Sequence, residues 1–495
     1  MSKALQFILL SLFLLFTNSS GVRAQGGSPN IFTLSDIINL SRGQSIAAKQ
    51  AETTRENRYW QYQTFRSNYR PQLILDGTLP AFNRSYDEVR QPDGTILFLP
   101  ISYNNSQLNL RLAQSIGVTG TQLFLNSSVN RFDNFEEQNR YWLYSGTPVE
   151  IGIVQPLFQF NDLRWDNRIE PMRFEESKRS YLEDLENISI TATRLFFNLM
   201  LAQINFGIAE LNLANNDTIF KIAEGRYNLG RIAENELLQL ELTLMNSRQA
   251  LSQARLDLET FSLRLRQYVG LTDLPSIQLI LPDQIPDFLV DEQAALAEAR
   301  INRSDAIGFE RRNLEADREI ARARGNAGPN ADLIARVGLT NRTGIDAPVG
   351  ELFVDPSNRQ VVNLAFNVPI VDWGRRKARV KTAEANQQLV SFSVSQDQLT
   401  FDEELLTLVR QLEVLREQVK ITAMADDISL RRYDISKNRY LIGNIGITDL
   451  NIALQEKDQA KGRYIQSLED FWLAYYNLRR LTLFDFERQQ RIVEY

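Results

Sequence analysis

Two short strings of the chain are nearly alike: Arg226-Tyr227-Asn228-Leu229-Gly230 and Arg439-Tyr440-Leu441-Ile442-Gly443. They lie 213 positions apart, since 439 − 226 = 213. Upstream, Val154-Gln155-Pro156-Leu157-Phe158-Gln159-Phe160 and Asn367-Val368-Pro369-Ile370-Val371-Asp372-Trp373 each carry a proline, and 369 − 156 is again 213. Seventy residues therefore separate proline from arginine in both copies, with no net insertion. A long helix demands that constancy, because one inserted residue turns everything after it by about 100°. The chain reads as an internal duplication built on long helices.

Periodicity supports this reading. After Gly230, apolar residues recur at Leu237, Leu240, Leu244, Leu251, Ala254, Leu258, Phe261, Leu265 and Tyr268, a heptad seam interrupted at Ser247. Before the Arg-Tyr strings, Ile188, Ala192, Leu195, Leu199, Ala202 and Phe206 match Phe401, Leu405, Leu408, Leu412, Leu415 and Val419. Trp165–Arg226 and Arg376–Arg439 are each broken at most by Pro171, and predict helices of about 60 residues, roughly 90 Å long. Shorter helices are expected near Thr33–Tyr69, Ile232–Gly270, Glu292–Arg324 and Ile447–Leu481.

Around the prolines the period changes to two. Val149, Ile151 and Ile153 alternate in the first copy, and Val362, Leu364, Phe366 and Val368 in the second. Leu73 and Leu75 after Pro71, and Leu333, Ala335, Val337 and Leu339 after Pro329, supply the preceding strands. These pair into one hairpin per copy, about four strands per chain. The spacing of the two prolines is 156 − 71 = 85 in copy one and 369 − 329 = 40 in copy two. Copy one is therefore longer by 85 − 40 = 45, from about Ala81 to Gly146. An enlarged external loop or an added hairpin would account for the excess. Aromatic residues gather at the strand ends: Phe158, Phe160, Trp165 and Trp373 at one, Tyr141, Trp142, Tyr144 and Phe353 at the other. One apolar and one polar face suits a barrel in lipid. A soluble sandwich with edge aromatics has the same pattern. If the strands lie in lipid, four cannot close a barrel, and several chains must share one.

The 495 residues include no cysteine and no histidine. That excludes disulfides, Ser-His-Asp and Cys-His catalysis, and haem held by His or Cys. It leaves crowded carboxylates as the candidates for any charge switch near neutral pH. Lys3, the apolar run Leu5–Phe16 and Val22-Arg23-Ala24 form a secretory signal peptide, residues 1–24, with cleavage after Ala24. Its apolar run of about 12 residues is too short to span a bilayer. Removing Lys3 and Arg23 takes the formal charge from −6 to −8, which argues against nucleic acid as a partner. The expected organisation is a first helix–hairpin–helix repeat over 25–270, a linker over 271–291 containing Pro275, Pro282 and Pro286, a second repeat over 292–486 and a tail over 487–495.

These features, with Arg70-Pro71-Gln72-Leu73 before a strand, Pro369-Ile370-Val371-Asp372-Trp373-Gly374-Arg375-Arg376 after one, and Tyr440–Leu450, resemble the TolC-like outer-membrane efflux proteins across residues 31–486. The resemblance implies a mainly α fold with a transmembrane β-barrel: a homotrimer whose duplicated repeats form a twelve-stranded barrel in outer-membrane lipid and a helical barrel across the periplasm of a Gram-negative cell. It implies a passive exit duct working with a periplasmic adaptor protein and an inner-membrane transporter, proton-driven (RND) or ATP-driven (ABC). Neither catalytic residue, cofactor nor metal is implied.

By the same resemblance the periplasmic gate falls at the helix tips. Asp449 matches a ring aspartate, and Glu236 is its counterpart in copy one, since 449 − 236 = 213. Each stands in the first turn of a helix, where an acid is favoured by the dipole. Three of each near one axis would make a focused negative field. Tyr440 and its counterpart Tyr227 flank the tips, and Gly230 and Gly443 fit either a tip turn or a helix cap. The family's second ring aspartate falls at Ile452 and its locking basic residue at Ile445, so Arg226, Arg231 and Arg439 are the candidates to replace the lock. Two other classes make different demands on the sequence. A periplasmic scaffold or adaptor would carry lipoyl-like β-domains around one helical hairpin, and a hydrolase would show paired carboxylates on one strand face. Neither pattern is found.

Overall fold

A computed structural model describes residues 31–136, 139–272, 274 and 277–493. The expected signal peptide with Ala24, Pro275 of the linker and the last two residues of the tail lie outside them. The elements begin with β1 (Ile31–Phe32), α1 (Leu34–Gln44), α2 (Ile46–Ser67), β2 (Gln72–Thr78), β3 (Phe82–Arg90), β4 (Ile96–Ile116), β5 (Thr121–Asn134) and β6 (Tyr141–Leu157). Then come α3 (Asp162–Asn228), α4 (Glu234–Val269), β7 (Gln278–Leu279), α5 (Glu292–Asn302), α6 (Ser304–Asn326) and β8 (Asn330–Arg342). A short 3-10 turn (Val349–Phe353) precedes β9 (Ser357–Asn367), α7 (Arg375–Leu441), α8 (Ile447–Thr482), β10 (Phe484–Asp485) and β11 (Gln490–Arg491).

The helices keep the register of the duplication residue for residue. α3 and α7 are each 67 residues, and α4 and α8 each 36, with starts 213 apart. Pro171 lies inside α3, in its third turn, and does not end it. The two shorter expected helices are each broken in two. Ser45 (ψ 153°) separates α1 from α2, and Arg303 (ψ 148°) separates α5 from α6.

The chain divides into two compact units, each drawing on both repeats. One takes the chain as far as Ile46 with Ile188–Ile285 and Leu415–Leu473. Its core takes Leu199 and Leu265 from the heptad seams, with Phe196, Phe197 and Leu468 fully buried beside them. Burying each such side chain is worth about 1.5–3 kcal/mol. The seam's interruption at Ser247 is satisfied: Asn216 Nδ2 donates to its hydroxyl at 2.7 Å, and the hydroxyl donates to the Thr243 carbonyl at 2.9 Å. The 271–291 segment is more than a linker, because β7 pairs in parallel with β1 and Gln203 clamps it from α3 through the Ile277 carbonyl and the Leu279 amide.

The other unit takes Ala47–Asn187, Pro286–Val414 and the chain from Ala474 onward, and holds the large sheet. Strand order is β2-β4-β5-β6-β8-β9, antiparallel throughout, with β3 continuing beyond β2 against the upper part of β4. The expectation of four strands is therefore corrected to seven in the sheet, six of them along its main path. In copy two the hairpin strands β8 and β9 are direct neighbours; in copy one β4 and β5 stand between β2 and β6. The extra residues are an added hairpin. A difference in proline spacing measures their number but not their conformation, although Leu108, Leu110 and Leu112 alternate with polar residues.

Register aligns the side chains into two faces. Leu75, Leu110 and Ser127 fall in one row, Leu112, Leu125, Ile151 and Val337 in another. Leu75, Leu110, Leu125, Ile151, Val337, Val362, Leu364 and Phe366 are all exposed on the apolar face. The opposite face carries Asp76, Asn109, Arg111, Asn126, Glu150, Arg336 and Arg359. Trp142 and Phe353 near one end, and Phe158 and Trp373 at the other, are exposed.

Candidate functional site

The two turns that end α3 and α7 are built alike. Gly230 (φ 69°) donates its amide to the Tyr227 carbonyl at 2.8 Å, and Arg231 donates to Arg226 at 2.9 Å. Gly443 (φ 83°) donates to Tyr440 at 3.0 Å, and Asn444 to Arg439 at 2.8 Å. This paired bonding closes the carbonyls a helix end leaves free, and it needs a left-handed residue that glycine supplies most easily. The helix-cap role of both glycines is therefore direct.

Under the turns lies one apolar cluster of Ile219, Ala223, Leu240, Tyr433, Tyr440, Ile447, Leu450 and Ala453. Ile445, where the resemblance would put a basic lock, packs against this cluster instead. The chain's own cross-link is Arg226. Its Nη2 donates to the Leu441 carbonyl at 2.9 Å, and its guanidinium sits 5.9 Å from the centre of the Tyr440 ring. It thereby ties the end of α3 to the end of α7. Arg231 and Arg439 are exposed. Burial, reinforced by Glu236, pushes the Tyr440 hydroxyl above its ordinary range against the opposing pull of Arg226.

The two copies are unequal in their exposure. Tyr440 is 5% exposed and Tyr227 38% exposed, so only the copy-two tyrosine is part of the cluster. Asp449 is exposed in the first turn of α8, Glu236 is half-buried in the first turn of α4, and Ile452 is exposed. A groove of about 640 Å³ between α3, α4 and α8 mixes apolar side chains with amides, among them Asn198, Asn205, Asn212, Asn246 and Gln253. Among the described residues, no helix is long and apolar enough to cross a membrane.

Residues 120–271 and 292–482 match the sequence model of a family described as outer membrane efflux protein. The chain belongs to that family. It is an outer-membrane protein. The second family match begins where α5 starts, whereas the first begins at residue 120, in the turn between β4 and β5. Compared by sequence with curated proteins, this efflux protein matches none. Solved structures share its fold. The outer membrane channel CmeC of Campylobacter jejuni is 17% identical with a TM-score of 0.65, covering 93% of this chain and 87% of that one. CusC is 15% identical with a TM-score of 0.62, covering 91% of each chain. The outer membrane protein VceC of Vibrio cholerae is 14% identical with a TM-score of 0.60, covering 93% and 96%.

Proposed function

We propose that three copies of this efflux protein close into one exit duct, which passively conducts cargo delivered by an inner-membrane transporter through a periplasmic adaptor, without enzymatic activity. The observation that carries this reading is what a single chain leaves unsatisfied. Among the described residues, both edges of the large sheet, β2 and β9, lack a partner strand, and open edges are not tolerated in hydrocarbon. In the helical unit, Ile421, Ile428 and Ile435 recur every seven residues on α7 and are all exposed, a seam without its partner helix. Copies of the same chain supply both partners.

In that assembly Asp449 and Glu236 ring the tip as the gate's negative field, Tyr440 and Tyr227 flank it, Arg226 holds it closed, and Gly230 and Gly443 form its turns. Such a field favours cations and gives polyvalent ones a site. Detergent-purified protein reconstituted in planar bilayers tests both levels. The expected result is a trimer that conducts with a preference for cations and is blocked by divalent cations, with Asp449→Asn weakening preference and block together. A monomer that forms no pore would falsify the duct, and an unchanged Asp449→Asn profile would remove Asp449 from the gate.

A further inference from the structure

The added hairpin is welded into the sheet rather than hung from it. Register with β5 runs without a break from Tyr103↔Asn134 to Ile116↔Thr121, and β4 holds β2 from Gln72↔Ala113 to Thr78↔Gln107. The turn between β4 and β5 is fixed at the end of the sheet where α3 begins. Gly120 (φ 74°) donates to Ile116 at 2.8 Å, and Asn161 Nδ2 donates to the carbonyls of Gly117 at 2.9 Å and Val118 at 3.2 Å. On the polar face, Phe124 of β5 lies between Arg111 of β4 and Arg336 of β8, at 5.0 and 5.7 Å from its ring centre. Gly152 of β6 makes room for that ring, since a Cβ there would come within 2.2 Å of it. The cluster spans four strands and joins the added hairpin to copy two.

The added strands also carry the apolar band. Leu108, Leu110 and Leu112 on β4, and Leu123 and Leu125 on β5, are exposed on the same face as Leu75, Ile151 and Leu364. The alternate residues of these strands are Asn109, Arg111, Gln122 and Asn126. An external flap in water would have no use for a row of outward leucines, whereas a barrel wall needs them facing lipid and polar groups facing the lumen.

We propose that the chain contributes six strands to the shared barrel, so that three copies close an eighteen-stranded wall. This rests on the trimeric duct above. Direction alternates along β2-β4-β5-β6-β8-β9, so β9 of one copy meets β2 of the next antiparallel, as closure requires. Barrel diameter grows roughly linearly with strand number, which makes the bore about 1.5-fold that of a twelve-stranded wall. The hairpin is thus a widening device at the outer-membrane end, admitting cargo of larger cross-section, while each repeat still supplies the same pair of long helices.

The absence of cysteine makes the test clean. Single cysteines at Leu110 and Leu125 on the added strands, Leu364 on β9 and Asn126 on the polar face are labelled with an environment-sensitive fluorophore. The labelled trimers are placed in phosphatidylcholine vesicles with or without bromine on the acyl chains. Expected is quenching by the brominated lipid at Leu110→Cys and Leu125→Cys to the same extent as at Leu364→Cys, with Asn126→Cys unquenched. Quenching at Leu364→Cys alone puts the hairpin outside the wall and overturns the eighteen-stranded barrel. Loss of quenching at Leu364→Cys as well would overturn the membrane-duct reading instead.

Discussion

The two repeats agree in their helices and differ in their sheets, and the physics of each element explains why. α3 and α7 are equal in length, as are α4 and α8, whereas β2 and β6 are separated by a hairpin that β8 and β9 lack. A helix carries its phase forward: one extra residue rotates every later side chain off its seam. An antiparallel sheet has no such memory. A whole hairpin leaves the sheet and returns to the same end, so β6 still arrives at α3 as β9 arrives at α7. The sharpest break of this comparison sets one residue against many. Inserting a single alanine between Ala202 and Gln203 of α3 should abolish the folded trimer, because the seam beyond it contributes several buried side chains at about 1.5–3 kcal/mol each. Deleting the whole stretch Ile96–Asn134 should leave a heat-resistant trimer on gels. If the alanine insertion is tolerated, helical register is not what fixed the repeat.

A second contrast concerns equivalent arginines at the ends of α4 and α8. Arg479 is partly buried, with its guanidinium between the buried carboxylates of Glu186, at 3.2 and 3.3 Å, and Asp485, and it touches the Tyr475 hydroxyl at 3.4 Å. Arg266, its counterpart by the same offset (479 − 266 = 213), donates to the Leu274 carbonyl. Burial works against the charge of Arg479, but Glu186 and Asp485 more than offset it and hold the proton more tightly than usual. Removing one partner of a buried ionic cluster costs about 3–5 kcal/mol, because the charges left behind stay buried. Arg479→Met should therefore lower stability by that amount in thermal unfolding, and Arg266→Met by about 1 kcal/mol. Equal effects would show that the Glu186–Arg479–Asp485 cluster adds nothing.

The tyrosines give the same kind of test at smaller amplitude. Tyr440→Ala empties part of the tip cluster and removes the ring beside Arg226, and should cost about 3 kcal/mol. Tyr227→Ala, at an exposed ring, should stay within about 0.5 kcal/mol. The reverse order would mean that Tyr227 is buried by a neighbouring copy.

How much of this is legible in the chain itself follows the same division. Helix lengths and phases are readable because the offset of 213 is a rigid quantity and heptads repeat it many times. The tip turns are readable from Gly230 and Gly443. The breaks at Ser45 and Arg303 are not, since neither position carries a proline or glycine. Nor is the seven-stranded sheet, because pairing is between strands distant in sequence and a period of two in Leu108–Leu112 does not say which neighbour it has. The link from Arg226 to Leu441 stays open among three arginines until backbone geometry chooses one. The Phe124 cluster joins residues from four strands, and no local pattern announces it.

Glu183 offers the finest probe of the comparison, because its counterpart by the same offset (396 − 183 = 213) is Gln396. In copy one the Glu183 carboxylate accepts from the Ser304 amide and hydroxyl, both at 2.8 Å, and so caps α6. Gln396 is exposed. Burial holds the Glu183 carboxyl above the ordinary carboxylate value, against the lowering effect of Ser304 and of Arg303. The folded protein therefore keeps this proton to higher pH than the unfolded chain does. Its contribution to stability is complete below the unfolded value near 4.5 and is lost as pH rises through the higher folded value. Glu183→Gln keeps an acceptor for Ser304 and removes the titration, so it makes copy one resemble copy two. Melting temperature should then decline less between about pH 4.5 and 7, with a change at pH 7 of under about 1 kcal/mol. Glu183→Ala, which removes the cap as well, should cost about 1 kcal/mol more than Glu183→Gln at every pH. A variant that keeps the wild-type slope would place the titration elsewhere and leave Glu183 as a cap only.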